Sequence, residues 1–251
     1  MTSGVTATVL ALAVTPLLTG DLAQYELPFW AWYPYKTRTS PLFEIMYLYQ
    51  VICVFCIAII SLNIDLLNMA LMMYVGIQCD LLCYDLKKLN NSKKDFNINL
   101  IKCIKHHKKI DSFAKHSNVF FNEILLTQFL TSTASLGLAL FQLSLVDPLS
   151  LDGYTIVFYV LCIITEIFLY CFSGNEVECK SSKIPYSAFE SDWTGAPIEA
   201  KKNLLIFILR TQKPIKMSAI NLFSLSLETF TTILRTSWSY FAVLRQVNGQ
   251  A

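Results

Sequence analysis

The sequence predicts an all-α fold, a polytopic bundle of transmembrane helices, and three observations lead to it. Apolar residues make up 54% of the 251 residues and charged residues 15%, whereas a typical soluble domain has about 25% charged residues. The apolar residues form long runs, several of which exceed the roughly 20 residues that a helix needs to cross a bilayer. The twenty Lys and Arg residues are unevenly placed, with nine between Asp80 and Asn118 and seven between Asn175 and Lys216. These features argue against a soluble globular protein.

The first forty residues contain a short apolar run followed by an aromatic segment. Val5 to Leu18 is too short to cross a bilayer by itself, and we interpret residues 1–20 as part of a transmembrane helix. A cleavable signal peptide is the alternative, because Ala11-Leu-Ala13 resembles a cleavage site, although no positive charge precedes it. Residues 21–40 are rich in aromatic residues and proline, which favours a loop at the membrane surface.

Four further apolar runs predict complete transmembrane helices. The first is longer than a bilayer requires and is expected to continue into water as a helix. Turn-forming residues predict a tight connection between the second and third runs. The polar segment before the last run includes an amphipathic helix from Pro197 to Leu209, which is too short to span and is ended by Pro214. The predicted spans are residues 41–78, 119–146, 154–173 and 217–247, and the segments between and after them are residues 79–118, 147–153, 174–216 and 248–251.

The positions of the basic residues predict the orientation of the chain. Lys and Arg are enriched in the cytoplasmic loops of membrane proteins. Residues 79–118 and 174–216 are therefore expected in the cytoplasm. This orientation places the 21–40 loop, the 147–153 turn and the C-terminal tail outside the cell, and alternating spans satisfy all of these assignments at once.

Ionisable residues inside the predicted spans are candidates for contact with a ligand or an ion, because a charged side chain in a bilayer usually faces protein or water. Ordinary packing near a membrane boundary is the alternative for most of them. Glu228 and Arg235 share a face of the last helix without touching, since they are nearly two helical turns apart. The candidates are Asp65, Glu123, Glu166, Glu228 and Arg235.

The sequence contains no pattern typical of an enzyme or of a metal site. No Ser or Cys lies in a nucleophile motif, there is no glycine-rich phosphate loop, and the eight cysteines lie within apolar runs or in and beside basic segments. Two pairs, Cys53 with Cys56 and Cys79 with Cys83, have spacings found in zinc sites, but the first lies in an apolar run and no second pair faces either one. We therefore interpret the cysteines as reduced thiols. No cofactor is expected, and the basic segments indicate contact with anionic lipid rather than with nucleic acid.

From His106 onward the sequence resembles the insect odorant receptor family, a group of seven-transmembrane, ligand-gated channels. Three stretches carry the resemblance, and the third is the most specific. They are His107-Lys-Lys-Ile-Asp-Ser-Phe113 running to Leu126-Thr-Gln-Phe129, then Tyr170-Cys-Phe-Ser-Gly174 with Ser181-Ser182, Ala188 and Trp193, and finally Thr232-Ile-Leu-Arg-Thr-Ser-Trp-Ser-Tyr-Phe-Ala-Val-Leu244. The resemblance implies that the predicted spans are helices 4 to 7 of the family fold, that residues 1–20 are part of helix 3, and that the first two helices are missing from this chain.

The resemblance also implies a function. A family member binds a volatile odorant and gates a non-selective cation channel together with the odorant co-receptor, as a heterotetramer in the plasma membrane of olfactory sensory neuron dendrites. It is not an enzyme. Cytoplasmic helices join the subunits, and they correspond here to an anchor region formed by Cys79 to Ser117, Gly174 to Trp193 and Pro197 to Arg210.

Site residues follow from the same resemblance. The seventh helices line the pore of the channel, and Arg245, which stands where an apolar residue is expected, should point away from it. The expected pore residues are Val243, Gln246 and Val247. The expected odorant-binding residues are Tyr47, Tyr49, Val51, Phe55, Phe158, Tyr159 and Cys162.

Three alternatives remain open at this point. A gustatory receptor of the same superfamily is the nearest one, and no motif favours it. A G-protein-coupled receptor requires a cytoplasmic C-terminus, opposite to the predicted orientation. A transporter or a membrane enzyme normally has clustered polar residues at mid-membrane, which the sequence lacks.

Overall fold

The computed structural model describes residues 27, 32–33, 41–89, 96–146, 150–220 and 223–248. The predicted partial helix of residues 1–20 and nearly all of the 21–40 loop lie outside the described residues. The same holds for residues 147–149 of the predicted turn and for the tail beyond Asn248.

The described residues form six α-helices and one short antiparallel hairpin, which confirms the predicted helical bundle. Helices α1 and α2 are the longest, with 46 and 50 residues, or about 69 and 75 Å. The bounds are α1 Leu42–Lys87, α2 Phe96–Leu145, α3 Leu151–Ser181, α4 Ile184–Phe189, α5 Ile198–Thr211, β1 Ser218–Ala219, β2 Phe223–Ser224 and α6 Leu227–Asn248.

Three segments of the described chain are long and apolar enough to cross a membrane: α1, α2 and Gly153–Phe189, which contains most of α3. Because a hydrocarbon core is about 30 Å thick, α1 and α2 must each extend well beyond it into water. Helix α6 has 22 residues, about 33 Å, and is therefore long enough to span, but it is more polar than these three.

The last predicted span, residues 217–247, is wrong over its first ten residues. There the chain forms the β1–β2 hairpin, and α6 begins at Leu227. Side chains explain the difference, because the Ser218 N–H donates to the Asn118 side-chain oxygen at 2.8 Å, and the Ile220 N–H donates to that of Asn122. Such bonds offer the backbone an alternative to a helix. Ser226 then caps α6, since its hydroxyl accepts from the Thr229 N–H at 3.3 Å.

A second boundary differs by a few residues. The predicted turn extends to Gly153, whereas α3 begins at Leu151. The Ser150 hydroxyl accepts a hydrogen bond from the Gly153 N–H at 3.0 Å, which is the usual N-cap arrangement. Residues that look turn-forming in the sequence therefore make up the first turn of the helix.

The chain divides into two compact units, residues 1–67 and residues 68–251. In the first unit, the Gln50 amide on α1 donates to the Tyr33 hydroxyl at 3.0 Å. In the second unit, α2 is the central element and packs against α3, α5, β1 and α6. Its core contains Met72, Leu82, Phe96, Leu100, Phe121, Leu125, Leu136, Ile167, Tyr170 and Leu225, all fully buried.

Candidate functional site

The two basic segments of the sequence fold together into one body, the anchor region. Lys87 at the end of α1 pairs with Glu190 at 2.8 Å, and Lys180 on α3 pairs with Asp80 at 2.9 Å. The Asn203 amide on α5 donates to the Asn97 side-chain oxygen at 3.3 Å. The interior of the region is apolar and fully or almost fully buried, with Leu82, Leu86, Phe96, Leu100, Ile184, Ala188, Ala200, Leu204 and Phe207. Two segments that are far apart in the sequence therefore lie at the same end of the second unit.

Two thiols in the anchor region, those of Cys79 and Cys103, are buried packing groups. Burial raises the pKa of the Cys79 thiol to about 12 and that of Cys103 to about 11, so both stay protonated at neutral pH and are poor nucleophiles and metal ligands. Within the described residues, no group of three or more His, Cys, Asp or Glu side chains is arranged to hold a metal ion.

His107 gives the anchor region a pH-dependent contact. The half-buried imidazole packs edge-on against Phe207 of α5, with 5.5 Å between ring centroids. Burial lowers its pKa, and the positive charges of Arg210, His106 and Lys115 lower it further, while Asp111 opposes them. The unfolded state consequently binds a proton before the folded state does as the pH falls.

We therefore expect the stability of the chain to fall as the pH drops from 6.5, the ordinary pKa of His, towards the lower folded-state value. Thermal unfolding measured from pH 7.5 to 5.0 tests this expectation. The difference in unfolding temperature between wild type and His107→Phe should depend on pH only below about 6.5. A pH-independent difference between the two proteins would contradict the assignment.

Helix α6 carries a polar stripe on the face opposite its buried one. Ile233 and Ser237 are buried against the bundle, with Phe230, Phe241 and Leu244 beside them. The opposite face is exposed along the length of the helix and repeats every three or four residues, which is one face of an α-helix. It consists of Glu228, Thr232, Arg235, Ser239 and Gln246, with Ala242 between the last two.

A groove of about 540 Å³ runs between α2 and α6 beside this stripe. The helices approach closely because Gly137 leaves room for Tyr240, whose Cβ would lie 3.1 Å from an added Cβ. The Ser237 hydroxyl donates to the Thr133 carbonyl at 3.3 Å. Phe129, Leu130 and Leu138 of α2 and Thr232, Thr236, Tyr240 and Val243 of α6 line the groove. Sequence reasoning missed this groove, and the available signal was the pair of small residues Ala134 and Gly137, which are three residues apart on one face of α2.

The pore residues predicted from the family resemblance lie near the stripe. Val243 is exposed and lines the groove, and Gln246 is exposed one turn further along α6. Val247 lies within α6, but its side chain is outside the described residues. Arg245 is exposed, about 160° around the helix from Val243 and about 100° from Gln246.

The predicted odorant-binding residues fall in two groups, one in each unit. On α1, Tyr47, Val51 and Phe55 are spaced by four residues and share a face, whereas Tyr49 points about 160° away from Tyr47. On α3, Phe158 and Tyr159 are exposed and Cys162 is half-buried. A pocket made of all seven residues remains a prediction.

One of the five ionisable candidates makes a contact between helices. The Gln128 amide on α2 donates to the carboxyl group of Glu166 on α3, and both side chains are half-buried. Glu123, Glu228 and Arg235 are exposed on the surface of the second unit, and Asp65 is half-buried in the first. A polar group buried within an apolar span needs a partner, so the Gln128–Glu166 bond joins α2 and α3.

Gly174 on α3 is the tightest glycine contact of the described chain. A Cβ added there would overlap Leu225 Cβ and lie 2.5 Å from the Leu225 carbonyl oxygen. Leu225 is buried, and its N–H donates to the Met217 carbonyl at 2.9 Å. The segment that leads into α6 therefore lies directly on α3 at a position where no side chain fits.

Comparisons with known proteins now define the family. The 7tm Odorant receptor family model matches residues 2–238. Odorant receptor 10 of Aedes albopictus is 29% identical over 213 residues, which is 83% of this chain and 56% of that one. The odorant receptor coreceptor of Aedes aegypti is 29% identical over 144 residues, or 57% of this chain and 30% of that one.

A solved structure shares the fold. The insect olfactory receptor OR5 from Machilis hrabei, in complex with eugenol, superposes with a TM-score of 0.86 at 20% identity, over 97% of this chain and 64% of that one. The chain spans little more than half the length of relatives such as the Aedes albopictus receptor. With a family model that covers nearly its whole length, the chain belongs to the 7tm odorant receptor family of insects.

Proposed function

We propose that the chain forms part of an odorant receptor subunit that binds a volatile small molecule and gates a non-selective cation channel with the odorant co-receptor. The subunits would assemble as a heterotetramer in the plasma membrane of olfactory sensory neuron dendrites. Similarity to curated odorant receptors and to a coreceptor supports this proposal. The structural match to a receptor described with eugenol supports a small organic ligand.

The polar stripe of α6 is the observation that carries the channel proposal. Glu228, Arg235 and Gln246 form no hydrogen bond or ion pair between side chains within the described residues, although all three lie on a helix long enough to span a membrane. Charged groups in a span usually face water or another protein surface. A water-filled pore lined by α6 from several subunits would hydrate this face, while the opposite face stays packed on α2 and α3.

In this proposal Val243, Gln246 and Val247 form the narrow part of the pore. A ring of apolar side chains can close a pore by excluding water, and an amide can contact a partly hydrated cation. Arg245 would repel cations inside the pore, and its position around the helix from Val243 keeps it away from the ion path. The C-terminus of α6 would then lie outside the cell.

The anchor region supports the proposed orientation. Its two segments hold most of the basic residues of the chain, and they fold at the same end of the second unit. Basic residues favour the cytoplasmic side, so we place the anchor region in the cytoplasm, where it would contact neighbouring subunits. Odorant would bind toward the outer side of the membrane, and its contacts would come from Tyr47, Tyr49, Val51, Phe55, Phe158, Tyr159 and Cys162.

The pore assignment predicts the effect of charge at Gln246. We expect Gln246→Glu to raise the permeability of divalent relative to monovalent cations by about twofold or more, because an added carboxylate near the ion path attracts the higher charge more strongly.

Val243→Ala should increase current without odorant, since a smaller apolar ring excludes water less well. Reversal potentials and basal currents of the chain expressed with an odorant co-receptor measure both effects.

The matched control is Gln142→Glu, which places the same charge on an exposed site of α2. That variant should leave the reversal potential unchanged. Unaltered permeation and basal current in both α6 variants, with normal surface expression, would remove the pore assignment. Failure of every odorant in a broad panel to evoke current would contradict the proposed function itself.

A further inference from the structure

A second groove lies on the surface of α2 in the anchor region and is lined by cations. Its lining residues are Lys108, Lys109, Ser112, Phe113 and His116, and its volume is about 440 Å³. The channel proposal assigns no ligand to it. Phe113 packs edge-on against Tyr74 of α1, with 5.4 Å between ring centroids, so the groove rests on an ordered aromatic contact.

Within the described part of the chain, no acidic residue pairs with Lys108 or Lys109. Asp111 is the acidic residue of this stretch of α2, and Lys115 already pairs with it at 2.7 Å. Neither Lys108 nor Lys109 forms an ion pair with any residue of the described ranges. Lys87 and Lys180 of the anchor region, in contrast, pair with carboxylates at 2.8 and 2.9 Å.

The cationic surface continues along one helical face. Its positions are separated by three or four residues in alternation, the spacing of a single face of an α-helix. These residues are Lys102, Lys105, Lys109, Ser112 and His116. A face of this kind presents an extended row of donors to one anionic partner rather than isolated charges in different directions.

His116 lines the groove with one ring nitrogen bonded and the other unpartnered. Its Nδ1 lies 2.6 Å from the Ser112 carbonyl oxygen, and because a carbonyl only accepts, Nδ1 carries the hydrogen. Nε2 then has no hydrogen-bond partner within the described residues.

The membrane boundary lies directly beside this groove. Val119 and Phe120 are 73% and 72% exposed, and they begin the apolar part of α2, so they mark the edge of the hydrocarbon. Along the helix, His116 is about 5 Å and Ser112 about 10 Å from Val119, while Lys108 and Lys109 are about 15 to 17 Å away. The polar layer of a bilayer is about 5 to 8 Å thick on each side.

The distances of these residues from the hydrocarbon edge distinguish between anionic lipids. The phosphodiester of any phospholipid lies within the polar layer, at the depth of His116. A small headgroup such as phosphoserine ends within the polar layer, before Lys108 and Lys109. An inositol ring with added phosphates projects further into the cytoplasm and carries several charges to the depth of these two lysines.

We propose that the Lys108–His116 groove binds the phosphorylated headgroup of a phosphoinositide in the membrane leaflet next to the anchor region. The lipid phosphodiester lies near His116, the ring phosphates contact Ser112, Lys108 and Lys109, and the acyl chains lie along Val119 and Phe120. Occupation of the groove would tie the anchor region to the membrane surface beside α2.

Photolabelling in nanodiscs tests this proposal. The chain is reconstituted in phosphatidylcholine with increasing mole fractions of phosphatidylinositol 4,5-bisphosphate that carries a photoreactive acyl chain, and the labelled fraction is measured. In K108Q/K109Q the half-saturating mole fraction should rise about thirtyfold, since each lysine near an anionic surface contributes about fivefold. Both side chains are exposed, so the variant should fold, which circular dichroism verifies.

Three comparisons make the result decisive. The matched control K202Q/K213Q removes the same charge from exposed lysines elsewhere in the cytoplasmic segments and should label like wild type. Unlabelled phosphatidylserine at equal total charge should compete at least tenfold less well than unlabelled phosphatidylinositol 4,5-bisphosphate. Equal losses in the two double variants, or equal competition by phosphatidylserine, would show general attraction to anionic lipid and overturn the proposal. Tighter binding of free inositol trisphosphate than of the lipid would show that a soluble inositol phosphate, and not a membrane lipid, occupies the groove.

Discussion

Replacing Gly174 by alanine is expected to destabilise the chain by about 1–3 kcal/mol, the range typical of overpacking in a well-packed interior. The conflict is with backbone as well as side chain, because the added Cβ would overlap Leu225 Cβ and lie 2.5 Å from the Leu225 carbonyl oxygen. A flexible side chain can rotate away from a new methyl group, but the backbone of a buried segment cannot.

Leu225 gives this substitution a functional consequence. It lies between β2 and the Ser226 cap of α6, and its N–H is bonded to Met217 at 2.9 Å. To relieve the overlap, the segment that fixes the start of α6 must shift away from α3. In the proposed channel this shift displaces the pore helix, so odorant-evoked current should fall more steeply than surface expression.

Thermal unfolding of the purified chain measures the stability effect, with an expected decrease in Tm of about 2–12 °C for a chain of this size. Gly76→Ala is the matched control, because its added Cβ meets Lys180 Cδ at 3.2 Å, in the middle of a flexible and half-exposed side chain. That variant should lower Tm by less than a third of the decrease expected for Gly174→Ala. Equal Tm values for wild type and Gly174→Ala would show that the contact is not rigid.

The long helices could be predicted because their signals are local. The apolar run from Leu42 to Tyr74 is longer than a bilayer requires, and the helix does continue to Lys87. The β1–β2 hairpin could not be predicted, because its partners are the amides of Asn118 and Asn122, about a hundred residues earlier. Nothing in the apolar pattern of residues 217–247 indicates that those amides would be present.

In the candidate site, too, local signals predict some features, while others depend on residues that are far apart in the sequence. Helical periodicity is enough to place Val243 and Gln246 on neighbouring turns of α6 and Arg245 to one side. The groove between α2 and α6 depends on where two distant helices cross, which Gly137 and Tyr240 decide together. The Gln128–Glu166 bond is of the same kind, because each residue separately looks like an isolated polar group in an apolar run.

Breaking the Gln128–Glu166 bond is expected to lower the stability of the chain by about 1–2 kcal/mol from either side, because the remaining partner is left without its hydrogen bond in an apolar setting. Removing both groups should cost less than the sum of the two single losses. Interhelical hydrogen bonds in membranes typically show coupling energies of about 0.6 kcal/mol and at most about 1.7 kcal/mol, so the expected coupling between Gln128 and Glu166 lies in that range.

A double-mutant cycle of Gln128→Leu and Glu166→Leu, followed by thermal unfolding in detergent, measures this coupling. Glu166→Gln retains a side-chain carbonyl oxygen that can accept from the Gln128 amide, so it should recover most of the stability that leucine loses. Gln142→Leu, an exposed glutamine on the same helix, should be close to neutral and shows what the substitution itself costs. Strictly additive losses of stability in the cycle would mean that the two side chains do not stabilise each other. The link between α2 and α3 would then rest on apolar packing, in which the Phe129 ring contacts the Tyr170 ring edge-on, with 6.3 Å between centroids.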